Sequence, residues 1–460
     1  MSYFFKIVNN TKIYYLILFI LIFFNSWISY DNITFNNYFN SSYQEYCNFF
    51  KTFNFNVFSV KGSTFPIWGY GLIHLMFSKN ILITLVFQQF VTFFTLIYLD
   101  FNLKKFKIIK TINIFRFLIL ISFPWFLFHT QMWPKSLASN LFIISIFEIL
   151  KYIQNKKYIN LFISAFLFGI MLNFRSDSIY LFYLITILIF FLKPYDLSNF
   201  LKKTVFPITT LSLLIPWMIF SYYQTGKPLL TSSNSGHVLF TGLGQLPNNK
   251  WGITPHDRDS LKTKLLVTKF EENYEEIEYE AWNGVKEDAF LKQKFFNLIM
   301  KNPKEWIKKC FFSFRLLILD PFYVGNVGNY QQDKFSNILE IRKLEKYVYQ
   351  FEFMKAYDLI ITTNWKFSFK EIFQFTYTLM VKIIGLFVML IFLITFFLSI
   401  IRHRNLIFKD SLVVILSLVI LYQMAISIFA FHMPVYNTSS YIFYLLLTYL
   451  LFQKYLSIKQ

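Results

Sequence analysis

Apolar runs close to 20 residues long recur along this chain, and they constrain its fold more than any other feature. A helix of about 20 apolar residues crosses the hydrocarbon core of a bilayer. A soluble protein of this length would carry more charge than the 15% found here. The fold class that we predict is therefore an all-α polytopic membrane protein. Its ten predicted membrane-spanning runs are 13–30, 80–99, 117–130, 136–152, 158–174, 178–193, 204–221, 381–401, 411–430 and 437–453.

The charge distribution orients the predicted helices. Lysine and arginine concentrate in alternate connections between the runs, namely 102–116, 151–157, 193–203 and 402–409. The positive-inside rule places such connections and both termini in the cytoplasm, as in a multi-pass protein of the inner (plasma) membrane. No small-residue cleavage site follows the first run, so we expect an uncleaved helix there. The periplasmic or extracellular side then receives 31–79, 129–136, 173–178, 222–372 and 431–440.

One long stretch without a convincing span divides the chain. The region 222–372 contains 21 basic and 18 acidic residues, against 24 and 7 in the remainder. Its helical segments break at Asn302–Pro303, because proline has no N–H to donate, and we expect an α-rich outer loop subdomain. Since the basic excess lies in short connections, nucleic acid is not an expected partner. The predicted modules are 1–221, with about seven helices and the outer interfacial loop 31–79; 222–372; and 373–460, with about three helices.

The cysteine and histidine content limits cofactor chemistry. Cys47 and Cys310 are the only cysteines, which excludes a disulfide scaffold and a cysteine-based zinc site. A single bridge between them stays open beside the alternative of two unpaired thiols. The outer histidines show no metal-ligand spacing, so no cofactor is predicted, and a divalent metal ion stays open. Those histidines are His129, His237, His256 and His432.

Few carboxylates outside the long loop are available for acid–base chemistry. Four of the seven fall at or near cytoplasmic helix ends, namely Asp100, Glu148, Asp196 and Asp410. The three that remain on the outer side are Asp31, Glu45 and Asp177. Between Glu45 and the second run, the aromatic segment 55–80 is too short to span the membrane separately, so we predict an interfacial helix at the head-group level.

Several motifs, in this order along the chain, resemble the GT-C superfamily of membrane glycosyltransferases. The similarity is closest to the branch that contains protein O-mannosyltransferases and the aminoarabinose transferase of lipid A. It covers most of the chain, and the motifs are specific mainly in combination. The matching stretches are SSYQEYCNFF (41–50), FPIWGYGLIHLMF (65–77), MWPKSLASNLFIISIFEILKY (132–152), GIMLNFRSDSIYLF (169–182), YYQTGKPLLTSSNSGHVLFTGLGQ (222–245) and MKNPKEWIKKCFFSF (300–314).

The chain also departs from the family pattern. Ser41 and Ser42 stand near the position of the usual first-loop acid, and Ser176 replaces a proline of the Thr-Arg-Pro-Glu element. Lys135 stands where an acid is common, and the last outer loop lacks the usual arginine. The identity of the catalytic base and the subfamily therefore stay open.

The resemblance implies a transferase that takes a sugar from a polyprenyl-phosphate carrier. Transfer needs a carboxylate that accepts the proton of the acceptor, and either Asp31 or Glu45 is expected to act as that base. Arg175, Lys135 and Lys61 are expected to bind the donor phosphate. Candidate acceptors are a glycolipid, a lipopolysaccharide core, a polysaccharide or a protein. Other expected site residues are the lining residues Pro66, Tyr70, Asp177 and His129, and the acceptor-binding residues Tyr222, Trp251 and His237.

Each of these assignments has a purely structural alternative. Asp31 could cap a helix, and Glu45 could lie on the wet face of an interfacial helix. Arg175 and Asp177 could form an ordinary ion pair, and the lysines could contact phospholipid head groups. Aromatic packing is the default for Trp251.

Two other functions compete with the transferase. An O-antigen polymerase or ligase also has many helices and one large outer loop, but it depends on arginine-rich outer loops, and paired arginines are not found here. A lipid-linked sugar flippase or transporter should carry charge in the middle of its helices. In this chain nearly all charges lie at helix ends, which favours an enzyme.

Overall fold

The computed structural model describes most of the chain and forms an all-α fold. The described residues are 82% helical and contain no strand, which confirms the all-α part of the prediction. They are 8–33, 37–57, 67–78, 80–106, 108–109, 111–131, 133–192, 197–253, 285–323, 340, 343–344, 347–348, 352–365 and 369–456.

The helices before the long loop follow the predicted runs. They are α1 (Thr11–Ile33), α2 (Asn37–Thr52), α3 (Gly69–Met76), α4 (Ile81–Lys105), α5 (Ile112–Leu120), α6 (Phe123–His129), α7 (Pro134–Asn155), α8 (Tyr158–Phe174), α9 (Ile179–Phe190), α10 (Leu197–Lys203), α11 (Val205–Ser212) and α12 (Ile215–Thr225). A short 3₁₀ turn, Ser176–Ser178, joins α8 to α9.

The described parts of the long loop and of the C-terminal region are mainly helical as well. Their helices are α13 (Ser235–Leu243), α14 (Val285–Lys301), α15 (Pro303–Leu319), α16 (Phe353–Thr362), α17 (Phe369–Ile407), α18 (Ser411–Ala425), α19 (Pro434–Thr438) and α20 (Tyr441–Leu451). A π-helical turn, Ile426–Ala430, extends α18.

The length and apolarity of the helices establish a membrane protein. Five stretches are long and apolar enough to cross a bilayer, and α5 with α6, bent by 58°, could form a sixth span. The five are Leu82–Lys105, Pro134–Asn155, Asn199–Thr225, Phe375–Ile407 and Ser411–Ala430. Four shorter apolar helices, of 10–17 residues, lie in the remaining runs. A helix thus lies in each of the ten predicted runs, and the crossing of all ten stays a prediction.

Proline explains where two of the helices begin. α6 has Pro124 in its first turn, directly after the break that separates it from α5. The break predicted at Asn302–Pro303 is confirmed, because Asn302 has φ −136° and ψ 63° between α14 and α15. Proline lacks the N–H that the helical ladder needs, so it fits the first turn of a helix and ends the preceding one.

α7 lies in the interior of the bundle, while α17 lies at its surface. α7 packs along α8, where the hydroxyl of Ser145 contacts the Ser164 hydroxyl at 3.0 Å. By contrast, α17 exposes a stripe of large apolar side chains that includes Ile383, Phe387 and Ile394. Such a stripe is suited to contact with lipid chains, and the lipid bilayer is therefore the environment of the protein.

Several ion pairs lie near the helix ends that carry the lysine-rich connections, at what we call the Asp100 end of the bundle. Arg116 forms two hydrogen bonds of 2.8 Å to the carboxylate of Asp100, and Tyr15 donates to the same carboxylate at 2.9 Å. Lys151 pairs with Glu148 at 2.6 Å. A further pair at this end joins Lys454 to Asp410, also at 2.6 Å. That this end faces the cytoplasm stays a prediction.

Candidate functional site

Three of the predicted outer connections meet at the opposite end of the bundle, which we call the Arg175 end. The hydroxyl of Ser139, in α7, donates to the carbonyl of Ser439 at 2.8 Å. Tyr422, in α18, donates its hydroxyl to the backbone carbonyl of Asp177. These contacts hold the connection 431–440 against α7 and the connection 173–178 against α18.

Arg175 and Asp177 form a two-pronged ion pair at this end. Arg175 leaves α8 with an extended backbone, φ −148° and ψ 107°, and the 3₁₀ turn that follows returns Asp177 toward it. Nε donates to Oδ1 and Nη2 to Oδ2, both at 2.6 Å. The Arg175 side chain is 6% exposed and that of Asp177 24% exposed. The pair fixes the plane of the guanidinium and leaves its Nη1 without a hydrogen bond to the described residues.

The ring of Tyr436 brings a second cation into the same place. The Cζ atom of Arg175 lies 5.3 Å from the ring centre, and the Nζ atom of Lys135 lies 5.1 Å from it. Lys135 also lies 5.3 Å from the ring centre of Trp133. Cations are attracted to the faces of aromatic rings, so one tyrosine positions both positive groups. We call Lys135, Arg175, Asp177 and Tyr436 the Tyr436 cluster; its charges sum to one net positive charge.

Local structure explains the position of Tyr436. Met433 is extended, with φ −132° and ψ 121°, and Pro434 starts the short helix α19 directly after it. The amide of Tyr436 donates to the carbonyl of Met433 at 3.0 Å. The ring packs in an apolar cluster with Phe128 and Val435. The tyrosine is therefore held by backbone geometry and by packing from α6.

His129 lies beneath this cluster and does not reach the surface. It is fully buried, and its Nδ1 atom lies 2.7 Å from the Ser136 hydroxyl. Its carbonyl accepts hydrogen bonds from the side-chain amides of Gln88 and Gln89, both at 2.7 Å. This polar network fixes the first turn of α7, which carries Lys135. The expectation that His129 lines the site stays a prediction. The observed contacts of His129 stabilise the first turn of α7.

The first predicted outer loop docks next to Arg175. Gly69, at the start of α3, approaches the end of α8 so closely that a Cβ atom there would lie 2.5 Å from the carbonyl oxygen of Asn173. The indole of Trp68 donates to the side chain of Asn173 at 2.8 Å. Tyr70, also in α3, is buried and donates to Gln88 at 3.2 Å. The helix of the predicted interfacial segment 55–80 therefore packs on the last turn of α8, directly before Arg175.

The two candidate bases differ in what the structure describes. Glu45 lies on α2, partly exposed, beside the buried residues Tyr46 and Cys47. The thiol of Cys47 donates to the carbonyl of Gly71 at 3.2 Å, which attaches α2 to α3. Asp31 belongs to α1, but its side chain lies outside the described residues, as do Lys61 and Pro66. The helix that bears Glu45 thus packs on the segment that docks beside Arg175.

The predicted acceptor-binding residues lie in different surroundings. Trp251 is 8% exposed and packs with Phe240 and Leu243, so aromatic packing describes it well. Tyr222 lies in the last turn of α12 with 54% of its surface exposed. His237 lies in α13 and is partly buried. Of the three, the ring of Tyr222 is the one most open to a ligand.

The hydroxyl of Ser232, in the segment between α12 and α13, contacts that of Ser176 at 2.8 Å. This contact brings the start of the long loop to the turn between Arg175 and Asp177. The long loop and the Tyr436 cluster are therefore neighbours.

Tyr436 is the residue that sequence reasoning missed. It lies in the connection FHMPVYNTSS (431–440), which is predicted on the outer side without any site residue. The chain has 30 tyrosines, so residue type alone does not distinguish this one. Its position two residues after a proline that starts a helix is the one local signal for it.

Metal and disulfide chemistry find no site in the described part of the chain. Cys47 is buried and Cys310 partly buried, and the two do not form a disulfide with each other. No group of three or more His, Cys, Asp or Glu side chains that could hold a metal ion occurs among the described residues. Comparison of the chain with protein families, with curated proteins and with solved structures finds no match.

Proposed function

We propose that this chain is an integral-membrane glycosyltransferase of the GT-C type. It would move a sugar from a polyprenyl-phosphate donor to an acceptor at the outer face of the inner membrane. The observation that supports this proposal most is the Tyr436 cluster, in which Arg175 and Lys135 share one ring at an end of the bundle. Two cations there are suited to a lipid-linked phosphate, whose tail has to stay in the bilayer.

The proposed topology follows from the grouping of the connections. Ten helices would cross the membrane, with the Asp100 end and both termini in the cytoplasm. The Arg175 end and the region 222–372 would then face the periplasm or the extracellular space. The concentration of Lys and Arg in the connections of the Asp100 end supports this orientation.

The proposed reaction is a single inverting displacement. The acceptor oxygen or nitrogen forms a bond to the anomeric carbon while the bond from that carbon to the phosphate oxygen breaks. The electron pair of that bond leaves with polyprenyl phosphate, and the acceptor proton passes to the carboxylate of Asp31 or Glu45. Arg175 and Lys135 would stabilise the departing phosphate, with Lys61 as a further contact.

Asp177 has a different proposed role from these two acids. Both of its oxygens accept hydrogen bonds from Arg175, so they hold the guanidinium and are poorly placed to accept a proton. We assign it the orientation of Arg175. Tyr222 is the preferred acceptor contact because its ring is exposed.

Release of free polyprenyl phosphate tests the proposal. Membranes that contain the wild-type chain, Asp31→Asn or Glu45→Gln would be incubated with a panel of polyprenyl-phosphate sugars and a crude acceptor extract. Mass spectrometry would then quantify the released phosphate. We expect release that depends on the protein, and a loss of about 10²–10⁴-fold in whichever variant removes the base.

Matched controls are available within the long loop. Asp358 is exposed and Glu352 partly exposed on or beside α16, and Asp358→Asn and Glu352→Gln should leave release unchanged. Release from none of the donors would exclude the proposal and favour an enzyme or flippase that acts on diphosphate-linked oligosaccharides. Release at the wild-type level in both Asp31→Asn and Glu45→Gln would exclude Asp31 and Glu45 as the base.

A further inference from the structure

A second buried cation lies where the long loop meets the Arg175 end. Lys309, in α15, is fully buried. Its Nζ atom donates to the carbonyl of Ile428 at 3.0 Å and to that of Ala430 at 2.5 Å. Both carbonyls belong to the π-helical turn that extends α18. Lys309 therefore joins a helix of the long loop to the end of an apolar helix.

The bonded carbonyls are ones that the helix itself leaves without partners. The last carbonyls of a helix lack an N–H donor further along the chain, and they carry the negative end of the helix dipole. Phe431 follows with an extended backbone, φ −137° and ψ 120°, so no further turn can satisfy them. A lysine from another helix thus acts as the cap of this helix end.

Neighbouring contacts fasten the same segment, 426–432. A Cβ atom at Gly242, in α13, would lie 2.0 Å from the carbonyl oxygen of Ala430, so the two backbones are in direct contact. Gln245 exchanges two hydrogen bonds with the backbone of His432, at 2.9 and 2.7 Å. Trp306 stacks on Phe429 with ring centres 5.9 Å apart. The segment is therefore held by α13 and α15 from the side of the long loop.

This segment leads directly into the Tyr436 cluster. Only Met433, Pro434 and Val435 separate His432 from Tyr436, and Pro434 restricts the backbone between them. A shift of the π-helical turn therefore moves the ring that contacts Arg175 and Lys135. The position of the Tyr436 ring depends on the hydrogen bonds that Lys309 donates to Ile428 and Ala430, since few freely rotating backbone bonds lie between Ala430 and Tyr436.

We infer that Lys309 is a positioning residue of the Tyr436 cluster: by capping the turn Ile426–Ala430 it couples the docking of α13 and α15 to the placement of the Tyr436 ring. The long loop is then more than a cover over the membrane helices. Any acceptor that shifts α13 or α15 would also change the geometry that Arg175 and Lys135 present. The coupling itself is a statement about structure, and only its effect on turnover rests on the proposed function.

Hydrogen–deuterium exchange tests the coupling without any substrate. The Lys309→Met variant keeps an unbranched side chain, one heavy atom shorter, and removes its N–H donors. We expect faster exchange of the amides of 431–440, with unchanged exchange in 205–225. The matched control is Lys308→Met, because Lys308 is the preceding residue in sequence and its side chain is 68% exposed. This control should leave both segments unchanged.

A second readout separates positioning from folding. In Lys309→Met we expect the KM for the donor to rise about tenfold, the scale of one lost charge-assisted hydrogen bond, with kcat nearly unchanged. In a Tyr436→Leu background the same substitution should add no further increase, since it acts through that ring. Gln245→Ala should also increase the amide exchange of 431–440 and the KM for the donor, by smaller amounts. This variant replaces Lys309→Met in both experiments if Lys309→Met does not fold.

The outcomes are distinct. Amide exchange that increases only within α15 in Lys309→Met would overturn the coupling. A full additional rise in the KM for the donor when Lys309→Met is added to Tyr436→Leu would overturn it as well. A wild-type chain that releases no polyprenyl phosphate, combined with increased exchange of 431–440 in Lys309→Met, would overturn the proposed function and support the coupling.

Discussion

The two ends of the bundle use charge in different ways. At the Asp100 end each carboxylate has its own cation, as in Asp100 with Arg116 and Glu148 with Lys151. At the Arg175 end the carboxylate of Asp177 accompanies two cations around one aromatic ring. The first pattern neutralises charge and joins helices, whereas the second gathers two cations and one carboxylate around a single ring. The comparison indicates that the Asp100 end stabilises the fold and that the Arg175 end is suited to bind an anion.

Burial sharpens the contrast. The side chains of Arg116 and Asp100 are 2% and 5% exposed, so their pair is closed to solvent. Asp177 is 24% exposed, so the pair that it forms with Arg175 can be reached from outside. A closed pair costs stability when one partner is removed, because the other charge stays buried. A reachable pair can exchange a protein contact for a ligand.

The largest expected effect is on stability at the Asp100 end. Asp100→Asn leaves the Arg116 guanidinium buried without its carboxylate, and we expect a loss of about 3–5 kcal/mol in the free energy of unfolding. Thermal unfolding of the purified protein in detergent measures this loss. The exposed Asp358→Asn serves as control and should unfold like wild type. A stable Asp100→Asn variant without turnover would reverse the contrast between the ends.

The second prediction compares one substitution at the two ends. Arg175→Lys cannot form two parallel bonds to Asp177 and also present a planar donor group to the phosphate. We expect the KM for the donor to rise by about 10- to 100-fold, equivalent to the loss of charge-assisted hydrogen bonds. Arg116→Lys should lower the melting temperature and leave that KM unchanged. Equal effects of both variants on KM would show that the ends do not differ in function.

The third prediction concerns the ring that joins the two cations. Tyr436→Leu removes the aromatic face, and we expect donor affinity to fall by about 0.5–2 kcal/mol. Tyr436→Phe keeps the face and should bind like wild type. Titration of each purified variant with polyprenyl phosphate measures the difference. A large loss in Tyr436→Phe would mean that the hydroxyl, and not the ring, is required.

The smallest expected effect is a pH dependence of stability that arises at Lys309, where the long loop meets the Arg175 end. Burial lowers the pKa of Lys309 to about 8, and the groups that face it are His432 and Cys310. Burial and the charge of Lys309 lower the pKa of His432 to about 4, so His432 is neutral in the relevant range. Between pH 8 and the ordinary lysine value of 10.5 the unfolded chain binds more protons, so stability rises with pH.

Melting temperatures recorded from pH 8 to pH 10 check this prediction. The wild-type melting temperature should rise by about 2 °C more than that of Lys309→Met. Lys308→Met should behave like wild type, since its amine is exposed. Parallel curves for wild type and Lys309→Met would show that the burial of Lys309 does not affect stability.

Local sequence patterns predicted the elements well. A helix lies in each of the ten apolar runs, and α15 begins at Pro303 as expected. That the lysine-rich connections share one side of the membrane stays a prediction. These features depend on hydropathy, proline and charge within short windows, which the chain carries irrespective of its packing. The run 117–130 was expected as one short helix and is bent, because Pro124 starts a new helix.

The candidate site was predicted incompletely for a physical reason. Arg175 and Lys135 were expected as phosphate ligands because the chain resembles the GT-C superfamily, and Asp177 was expected because few carboxylates lie on the outer side. Tyr436 and Lys309 were not expected, since tyrosine and lysine are common in this chain and the proline two residues before Tyr436 is the one local signal for either residue. Their contacts join residues more than a hundred positions apart, as Lys309 does with Ile428 and Ala430.

The sequence by itself determined an all-α membrane protein and the positions of its helices. The tertiary structure alone decided that Lys135 and Arg175 meet on the ring of Tyr436 and that Lys309 caps the turn before it. Hydropathy and helix breaks depend on residues that are close together in the sequence, so a short stretch of sequence is enough to predict them. Cation–π contacts and helix caps donated from another helix depend on how helices pack, and packing selects one partner among many similar residues.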